Sequence, residues 1–457
     1  MKIYNTLSAE LEEFAPAEEF VTLYVCGITP YAPAHVGHAM RAVVFDVLRR
    51  YLEFKGHRVR HVENFTDVDD KMIDAAAKTH VTVPELADQN IKRYLTEMAN
   101  LNVLRAHIYP RATREIPKII ELISGLIECD YAYAVEGDVY FRVKKDEDYG
   151  KLSKRGQASL LAGARVEINK KKEYAMDFAL WKGQKPGEPF WESPWGTGRP
   201  GWHIECSAMS IAYLGETIDI HGGGSDLIFP HHENEIAQSE GYTGKEPFAR
   251  IWMHNGLLRL GEDKMSKSLG NIVPIGDALE KYSTDALRLF FISSHYRSPL
   301  THSDENILAQ ERAIERLRNA ATLDGTTGEG ESLVAQPFQE RFIAAMDDDL
   351  NTPQAIAVLF DLAHAIQRGR EQRNDISSAI AVLQELAGIL GLTLKPTETQ
   401  DRFRDADAFI ELLIATRKSL REATQYELAD NIRNRLTDLG VRLEDSTEGT
   451  EWKYKPS

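Results

Sequence analysis

The sequence predicts an α/β protein built on a parallel sheet, on three observations. A strand–helix–strand unit opens the chain, a second strand runs into a cluster of glycines after a long interruption, and the remainder reads as helix. The stretch VTLYVCGI (21–28) is an unbroken apolar run of strand length, and RVRHVENFT (58–66) is another strand of β-rich composition. Between them HAMRAVVFDVLRRYLEFKG (38–56) places apolar residues at helical spacing and ends at Gly56. Two strands joined by a helix pair in parallel. Ligands of such sheets bind beyond the carboxyl ends of the strands, where the next helix presents free N–H groups and the positive end of its dipole.

From about Thr113 to Pro200 the pattern changes to an apolar helix, IPKIIELISGLI, a strand, GDVYFRV, and charged, tryptophan-rich stretches. This region reads as a subdomain inserted between two halves of the sheet. The sheet resumes at TIDIHGGGSDLIF (217–229), with a helix expected from Pro230 because proline suits a first helical turn. A third strand-like run, ARIWMHNGLLRL, leads into the loop GEDKMSKSLGN, and the segments from DALRLFFIS to about Gly391 read as helices. Polar, turn-rich stretches at 324–332 and 395–402 read as linkers. The division expected is a sheet domain over 1–112 and 201–270, an insertion over 113–200, a region over 271–322, a helical bundle over 333–394 and a small C-terminal module over 402–457.

A length of 457 residues suggests about three domains, and 43% hydrophobic residues suffice for real cores. No run of about 18 apolar residues and no charged-then-apolar leader occurs, so a cytoplasmic protein without a membrane span is expected. Three widely spaced cysteines, Cys26, Cys129 and Cys206, argue against a disulfide framework. A net charge of −16 opposes indiscriminate polyanion binding and leaves selective contact with nucleic acid open.

Three motifs carry chemistry. HVGH (35–38) stands at a strand-to-helix turn, where two imidazoles can face an anion on the helix end and Gly37 admits a flat base close to the backbone. KMSKS (264–268) places two ammonium groups in a glycine-flanked loop able to close on a triphosphate. FPHHENE (229–235) offers metal ligands: on a helix His231 and Glu235 share a face, and so do His232 and Glu235, so spacing leaves the histidine undecided. Taken singly, each motif has a bland reading as a chance pair, a solvated loop or a capped helix.

Together HVGH and KMSKS form the signature pair of class I aminoacyl-tRNA synthetases. With YVCGITPY, NFTDVDDK, YPRAT, GRPGWHIECSAM, DIHGGGSDLIFPHHENEIAQ and KMSKSLGN in order, the chain resembles the cysteinyl-tRNA synthetases along nearly its whole length. It departs from the usual isoleucine only conservatively, at Val36, with Ala39 and Met40 less standard neighbours. The resemblance implies a Rossmann-like catalytic domain with an inserted connective subdomain, followed by a helical tRNA-binding bundle and an anticodon-binding module.

It implies one zinc ion held by Cys26, Cys206, His231 and Glu235, with His232 and Glu233 in supporting roles and Cys129 buried and inert. It also places Thr29 and Trp202 beside the bound amino acid, His35 and His38 on the ATP phosphates, Gly37 under the adenine, and Lys264 and Lys267 on the departing pyrophosphate. Asp226, at the second strand-to-helix turn, is assigned to the ribose. The implied activity is a ligase of protein biosynthesis using L-cysteine, ATP with Mg2+ and tRNA(Cys), working as a cytoplasmic monomer. Zinc would bind the substrate thiolate and leave serine's hydroxyl without an equivalent bond, so no editing domain is needed. The alternatives are a ligase that passes the cysteinyl-adenylate to an amino sugar, and a non-catalytic zinc-binding paralogue.

Overall fold

The computed structural model describes residues 1–16, 19–155, 170–260, 263–264, 272–321, 330–395, 398–445 and 450–454. Two compact units are present, Met1–Leu394 and Lys395–Ser457. The larger is centred on a four-stranded parallel sheet in the order β10 (Ala249–Asn255), β9 (Ile218–Gly224), β3 (Phe20–Ile28), β4 (Arg58–Phe65). Strands β3 and β4 are joined by helix α1 (Val36–Phe54). The chain then leaves the sheet and returns on the other side of β3, so the strand order reverses between β3 and β9. Such a reversal opens a crevice at the carboxyl ends of the two strands.

The sheet is covered on both faces, so β9 is buried throughout and β3 nearly so, which is why both read as apolar runs without alternation. Helix α1 is buried over most of its circumference because it is packed between the sheet and the helices that follow it.

The insertion contains helix α4 (Ile116–Glu128) and a four-stranded antiparallel sheet of β5 (Ala132–Val135), β6 (Asp138–Phe141), β7 (Phe178–Gly183) and β8 (Gly198–Pro200). It has its own core around Leu122, Leu126, Phe141, Leu180 and Trp181. Two further helices, α2 (Asp70–Thr79) and α3 (Val83–Asn100), precede it, and α5 (Trp202–Leu214) leads back to β9.

Several expectations are corrected. No regular helix starts at Pro230: Ile228–His232 is a π-helical turn broken at Phe229, and helix α6 spans Glu233–Thr243. The run ARIWMHNGLLRL is two strands, β10 and β11 (Leu258–Leu260), because the chain turns at Gly256. A Cβ at Gly256 would lie 2.2 Å from the Ser298 carbonyl oxygen, which forces glycine there. The region after the KMSKS loop is not wholly helical, since β13 (Leu300–His302) pairs in parallel with β11. Cys129 is exposed rather than buried, because it caps the solvent-facing end of α4. Two hairpins had no clear sequence signal, β1 (Lys2–Asn5) with β2 (Glu10–Glu13) and β14 (Val441–Asp445) with β15 (Thr450–Tyr454). Most of the expected linker at 324–332 lies outside the described residues.

Beyond the sheet stand α7 (Ile275–Lys281), α8 (Thr284–Ile292), α9 (Asp304–Ala321), α10 (Gln336–Asp347), α11 (Thr352–Glu371) and α12 (Ser377–Ile389). They share a hydrophobic core with the sheet domain, and one buried ion pair lies at the junction. Arg288 of α8, fully buried, donates to Asp46 of α1 at 2.6 Å and to the carbonyl oxygens of Leu101, Asn102 and Leu390 at 2.9 to 3.2 Å. Asp46 also accepts from Arg50 and from the Leu104 amide. One guanidinium thus closes the ends of α3 and α12 onto α1. Gly391 is required beside it, at φ +70° and with only 1.9 Å between an added Cβ and Arg288 Nη2. The smaller unit packs α13 (Glu398–Glu422) and α14 (Tyr426–Asp438) with the β14–β15 hairpin over Ile410, Ile414, Leu436, Val441 and Leu443.

Removing Arg288 leaves Asp46 with Arg50 as its cationic partner but strips buried carbonyl oxygens of their donor, each such loss costing about 1 to 3 kcal/mol. Arg288→Met is therefore expected to lower the unfolding free energy of the larger unit by at least that much, read from the urea midpoint and slope by circular dichroism. An unchanged midpoint would show that the clamp contributes nothing.

Candidate metal centre and nucleotide site

The crevice between β3 and β9 gathers the four candidate ligands from four elements. Cys26 is two residues from the end of β3, Cys206 is on α5, His231 is in the π turn, and Glu235 is in the first turn of α6, where the helix dipole favours a carboxylate. One donor atom from each lies within 4.8 Å of the others, and all four residues are buried. Cys26 Sγ is 3.8 Å from Cys206 Sγ and 3.3 Å from Glu235 Oε1, which is 3.1 Å from His231 Nε2. Although His231 precedes the regular helix, its i,i+4 relation to Glu235 holds.

A second group, Cys26, His221, His232 and Glu235, meets the same distance limit. Each of its two histidines uses one ring nitrogen in a hydrogen bond, while His221 Nδ1 and His232 Nε2 make none. His221 Nε2 is 2.9 Å from Glu235 Oε2, and His232 Nδ1 is 2.8 Å from His254 Nε2. His221 therefore orients the carboxylate, leaving Oε1 toward Cys26 and His231. On its other edge His231 Nδ1 meets His203 Nδ1 at 3.0 Å. The glycines of β9 allow this crowding: a Cβ on Gly223 would lie 2.7 Å from the His232 ring. Glu233 accepts the amides of Leu152 and Ser153, and Tyr149 donates to Asn234, so the rest of the motif holds the insertion against α6.

Burial governs the protonation states. It pushes His203, His231 and His254 down to about 3 and His232 well below its ordinary value, so the imidazoles are neutral and able to ligate. Burial raises the Cys26 thiol. For Cys206 the Cys26 hydrogen bond works downward, yet burial and the nearby Glu235 leave it raised. Burial alone would raise Glu235 too, but His221 and His231 outweigh it and hold the carboxyl below its usual range. Two thiols that are costly to ionise in isolation, a neutral imidazole and a carboxylate fit a soft divalent cation such as zinc.

Trp202 is 38% exposed and stacks on His231 at 4.3 Å, so it is no core tryptophan. It shares with Thr29, Asp69, Lys71, Lys182 and His203 a cleft of about 390 Å³. At the cleft rim Asp70 is bridged by Lys182 at 2.5 Å and by Arg199, which joins the insertion sheet to the start of α2.

HVGH forms the N-terminus of α1. His35 Nδ1 accepts the Gly37 amide and His38 Nδ1 accepts the His35 amide, each at 3.2 Å, and the two rings stack with centroids 3.8 Å apart. An imidazole accepting at Nδ1 carries its proton on Nε2 when neutral. The chain emerging from the KMSKS loop pairs with this turn, Val36 N donating to Val273 O and Ile275 N to Ala34 O. Lys264 begins that loop in a two-residue strand, Asp263–Lys264, against β11; Lys267 lies outside the described residues. Asp226 sits in the short helical turn just past β9.

The histidines His203, His221 and His254 were not found from sequence. His203 adjoins Trp202 in GWHIEC and had a signal, whereas His221 and His254 lie within strands and become recognisable only when β9 and β10 are paired.

Residues 13–312 match the class I (C) tRNA synthetase catalytic domain and residues 341–395 match the DALR domain. A methionyl-tRNA synthetase of Mycobacterium tuberculosis, solved with methionyl-adenylate, aligns with a TM-score of 0.60 over 82% of this chain and 92% of its own. At 16% identity that is a likeness of fold. The architecture is that of a class I aminoacyl-tRNA synthetase. A cysteine–tRNA ligase of Dehalococcoides mccartyi is 56% identical over 457 residues, all of both chains, and one of Carboxydothermus hydrogenoformans is 48% identical over 99% of this chain and all of its own. The chain belongs to the cysteine–tRNA ligases. Among the described residues no helix is long and apolar enough to cross a membrane.

The Asp70 bridge has a pH signature. Partial burial works against ionisation, but Lys182 and Arg199 outweigh it and lower the carboxyl from 3.8 to about 2. A depressed carboxyl contributes stability above its unfolded value, lost as pH falls through the folded one. Amide exchange in β7 and β8 is therefore expected to quicken between about pH 4 and pH 2, and Asp70→Asn should abolish this dependence.

Proposed function

We propose that the chain performs its family's reaction, activating L-cysteine with ATP to cysteinyl-adenylate and pyrophosphate and passing the cysteinyl group to tRNA(Cys), with one zinc ion held by Cys26, Cys206, His231 and Glu235. The observation that carries this reading is the buried set of two sulfurs, one nitrogen and one oxygen at the carboxyl ends of β3 and β9. When bound, zinc supplies a soft cation that takes a thiolate and offers serine no equivalent bond. The protein's own residues prepare the donors. His221 fixes Glu235 by its second oxygen, His203 backs His231, and Trp202 with Thr29 walls the amino acid.

In the activation step the substrate carboxylate attacks the α-phosphorus, a new oxygen–phosphorus bond forms, and the bond to the β-phosphate breaks in line. His35 and His38 at the start of α1 donate toward the phosphates through Nε2, aided by the helix N-terminus. Lys264 and Lys267 stabilise the leaving pyrophosphate, Gly37 lies under the adenine, Asp226 takes the ribose, and magnesium accompanies ATP. The pairing of residues 272–275 with the HVGH turn supports joint action, since it ties the end of one motif to the start of the other. The bundle and the C-terminal unit serve tRNA, the latter at the anticodon, in the cytoplasm. Transfer to an amino sugar draws no support from the relatives, which match the chain end to end.

Cysteine-dependent ATP–pyrophosphate exchange followed by charging of tRNA(Cys) tests the reading; exchange without charging would refute the transfer step. Cys206→Ser is expected to lose zinc, and its preference for cysteine over serine should fall from about 10⁴ or more toward the roughly 10 to 200 that shape alone supplies. Full zinc occupancy with unchanged preference in that variant would end the metal argument.

A further inference from the structure

Cys26 lies where strand pairing fails. The β3–β4 ladder is regular up to Val25↔Glu63 and resumes at Ile28↔Phe65, so Cys26 and Gly27 together oppose the single residue Asn64. Two residues against one is a β-bulge, which re-aims side chains and leaves backbone groups unpaired. Here the two backbone groups of Gly27 are both taken by side chains. Its N–H donates to Asn64 Oδ1 at 2.9 Å, and its carbonyl accepts from Arg41 Nη1 at 2.7 Å. A Cβ on Gly27 would lie 1.6 Å from the Asn64 carbonyl oxygen, so the strands touch backbone to backbone at this point.

Arg41 is an unusual group to spend on one carbonyl. It is 6% exposed in the middle of the fold, and its second nitrogen is fixed by Glu63 Oε1 at 3.1 Å. The same carboxylate oxygen accepts the hydroxyl of the fully buried Tyr94 at 2.7 Å. Farther along, Asn90 of α3 donates to Pro30 O at 2.8 Å, and Thr66 N donates to Ile28 O at 3.1 Å. The segment from Cys26 to Pro30 is therefore gripped from α1, β4 and α3. Arg41 belongs to the helix whose first turn is HVGH, so the strand end carrying Cys26 and Thr29 is indexed to the helix that starts the nucleotide site.

We infer that Arg41 and Asn64 are positioning residues of the metal centre: by holding both backbone groups of Gly27, they set the direction of Cys26 Sγ and the placing of Thr29. The inference rests on the zinc reading above. Neither residue is among the proposed ligands, and each reaches the centre through the bulge at Gly27. The fork of Arg41 suits the task, because one nitrogen can hold the carbonyl while the other is locked by Glu63.

The test uses full-length enzyme carrying its metal: wild type, Arg41→Lys, Arg41→Met, Asn64→Ala and the double variant Arg41→Met/Asn64→Ala. Zinc release to a chromogenic chelator, the cysteine and ATP KM values in pyrophosphate exchange, and the thermal midpoint are measured together. Loss of partners that orient a ligand commonly weakens metal binding 10- to 100-fold. Arg41→Met and Asn64→Ala are each expected to weaken zinc retention at least about 10-fold and to raise the cysteine KM more than the ATP KM. Arg41→Lys should lie between them and wild type, since an ammonium can still reach Gly27 O. The double variant should lose less than the product of the single losses, because both act on one residue. Folded variants that melt earlier but hold zinc as tightly as wild type would overturn the inference, leaving the zinc reading intact. Wild type that holds no zinc as purified and takes up none when zinc is supplied would overturn the zinc reading and this inference with it. Should Arg41→Met fail to fold, Arg41→Lys and Asn64→Ala, which leave Glu63 with a buried cation, decide the matter.

Discussion

Two thiols, an imidazole and a carboxylate are buried within 4.8 Å of one another, and this crowding is the constraint around which the protein is arranged. Brought together without a cation, such groups resist ionisation, since desolvation raises thiols and lowers imidazoles. The shell around them shows how the fold accommodates this. Buried histidines surround the donors, His221 orients Glu235, and aromatic rings, with Trp252 stacked on His221 at 4.3 Å, exclude water. A carboxyl held below its usual range by His221 and His231, despite its burial, leaves the centre disposed to accept a cation.

Such a site demands that distant segments arrive in register. Cys26 and Cys206 are 180 residues apart, and the reversal of strand order between β3 and β9 is what opens room between them. The irregular backbone at the site is satisfied by side chains rather than by strand partners. Arg41 and Asn64 serve Gly27, Glu233 serves Leu152 and Ser153, and Asn90 serves Pro30. Buried backbone groups must find partners somewhere, and here the partners come from other elements, so local geometry at the site is fixed by tertiary structure.

The same economy appears at the junction with the bundle, where Arg288 serves three carbonyls and one carboxylate. Arginine suits this role because its donors radiate in a plane. The insertion is secured differently, by Glu233 and Asn234 from the site and by the Asp70 bridge at the rim. Glu233 and Asn234, between the proposed ligands in FPHHENE, thus attach the insertion to the wall of the metal site, which explains their polarity.

Much of this was legible in the sequence. The strand–helix–strand opening, the glycine-terminated β9 and the helical remainder follow from apolar periodicity, which reports burial directly, and the motifs HVGH and FPHHENE stand just past β3 and β9. The three hairpin-like or short strand features at β1–β2, β13 and β14–β15 escaped because three to five residues carry too little periodicity to separate strand from loop. The start of α6 was misplaced because proline before two histidines reads as a helical first turn, whereas the chain makes a π turn there. Exposure of Cys129 depends on which side of α4 faces solvent at its last residue. The choice between His231 and His232 could not come from spacing, since both reach Glu235. In the folded chain each stands in a four-residue group able to hold an ion, and His221, His203 and His254, which pack around them, come from strands and a helix adjacent only there. The sequence by itself determined which residue types are available for the chemistry and on which elements they ride; which of them converge, and at what protonation, only burial and the packing of the sheet decide.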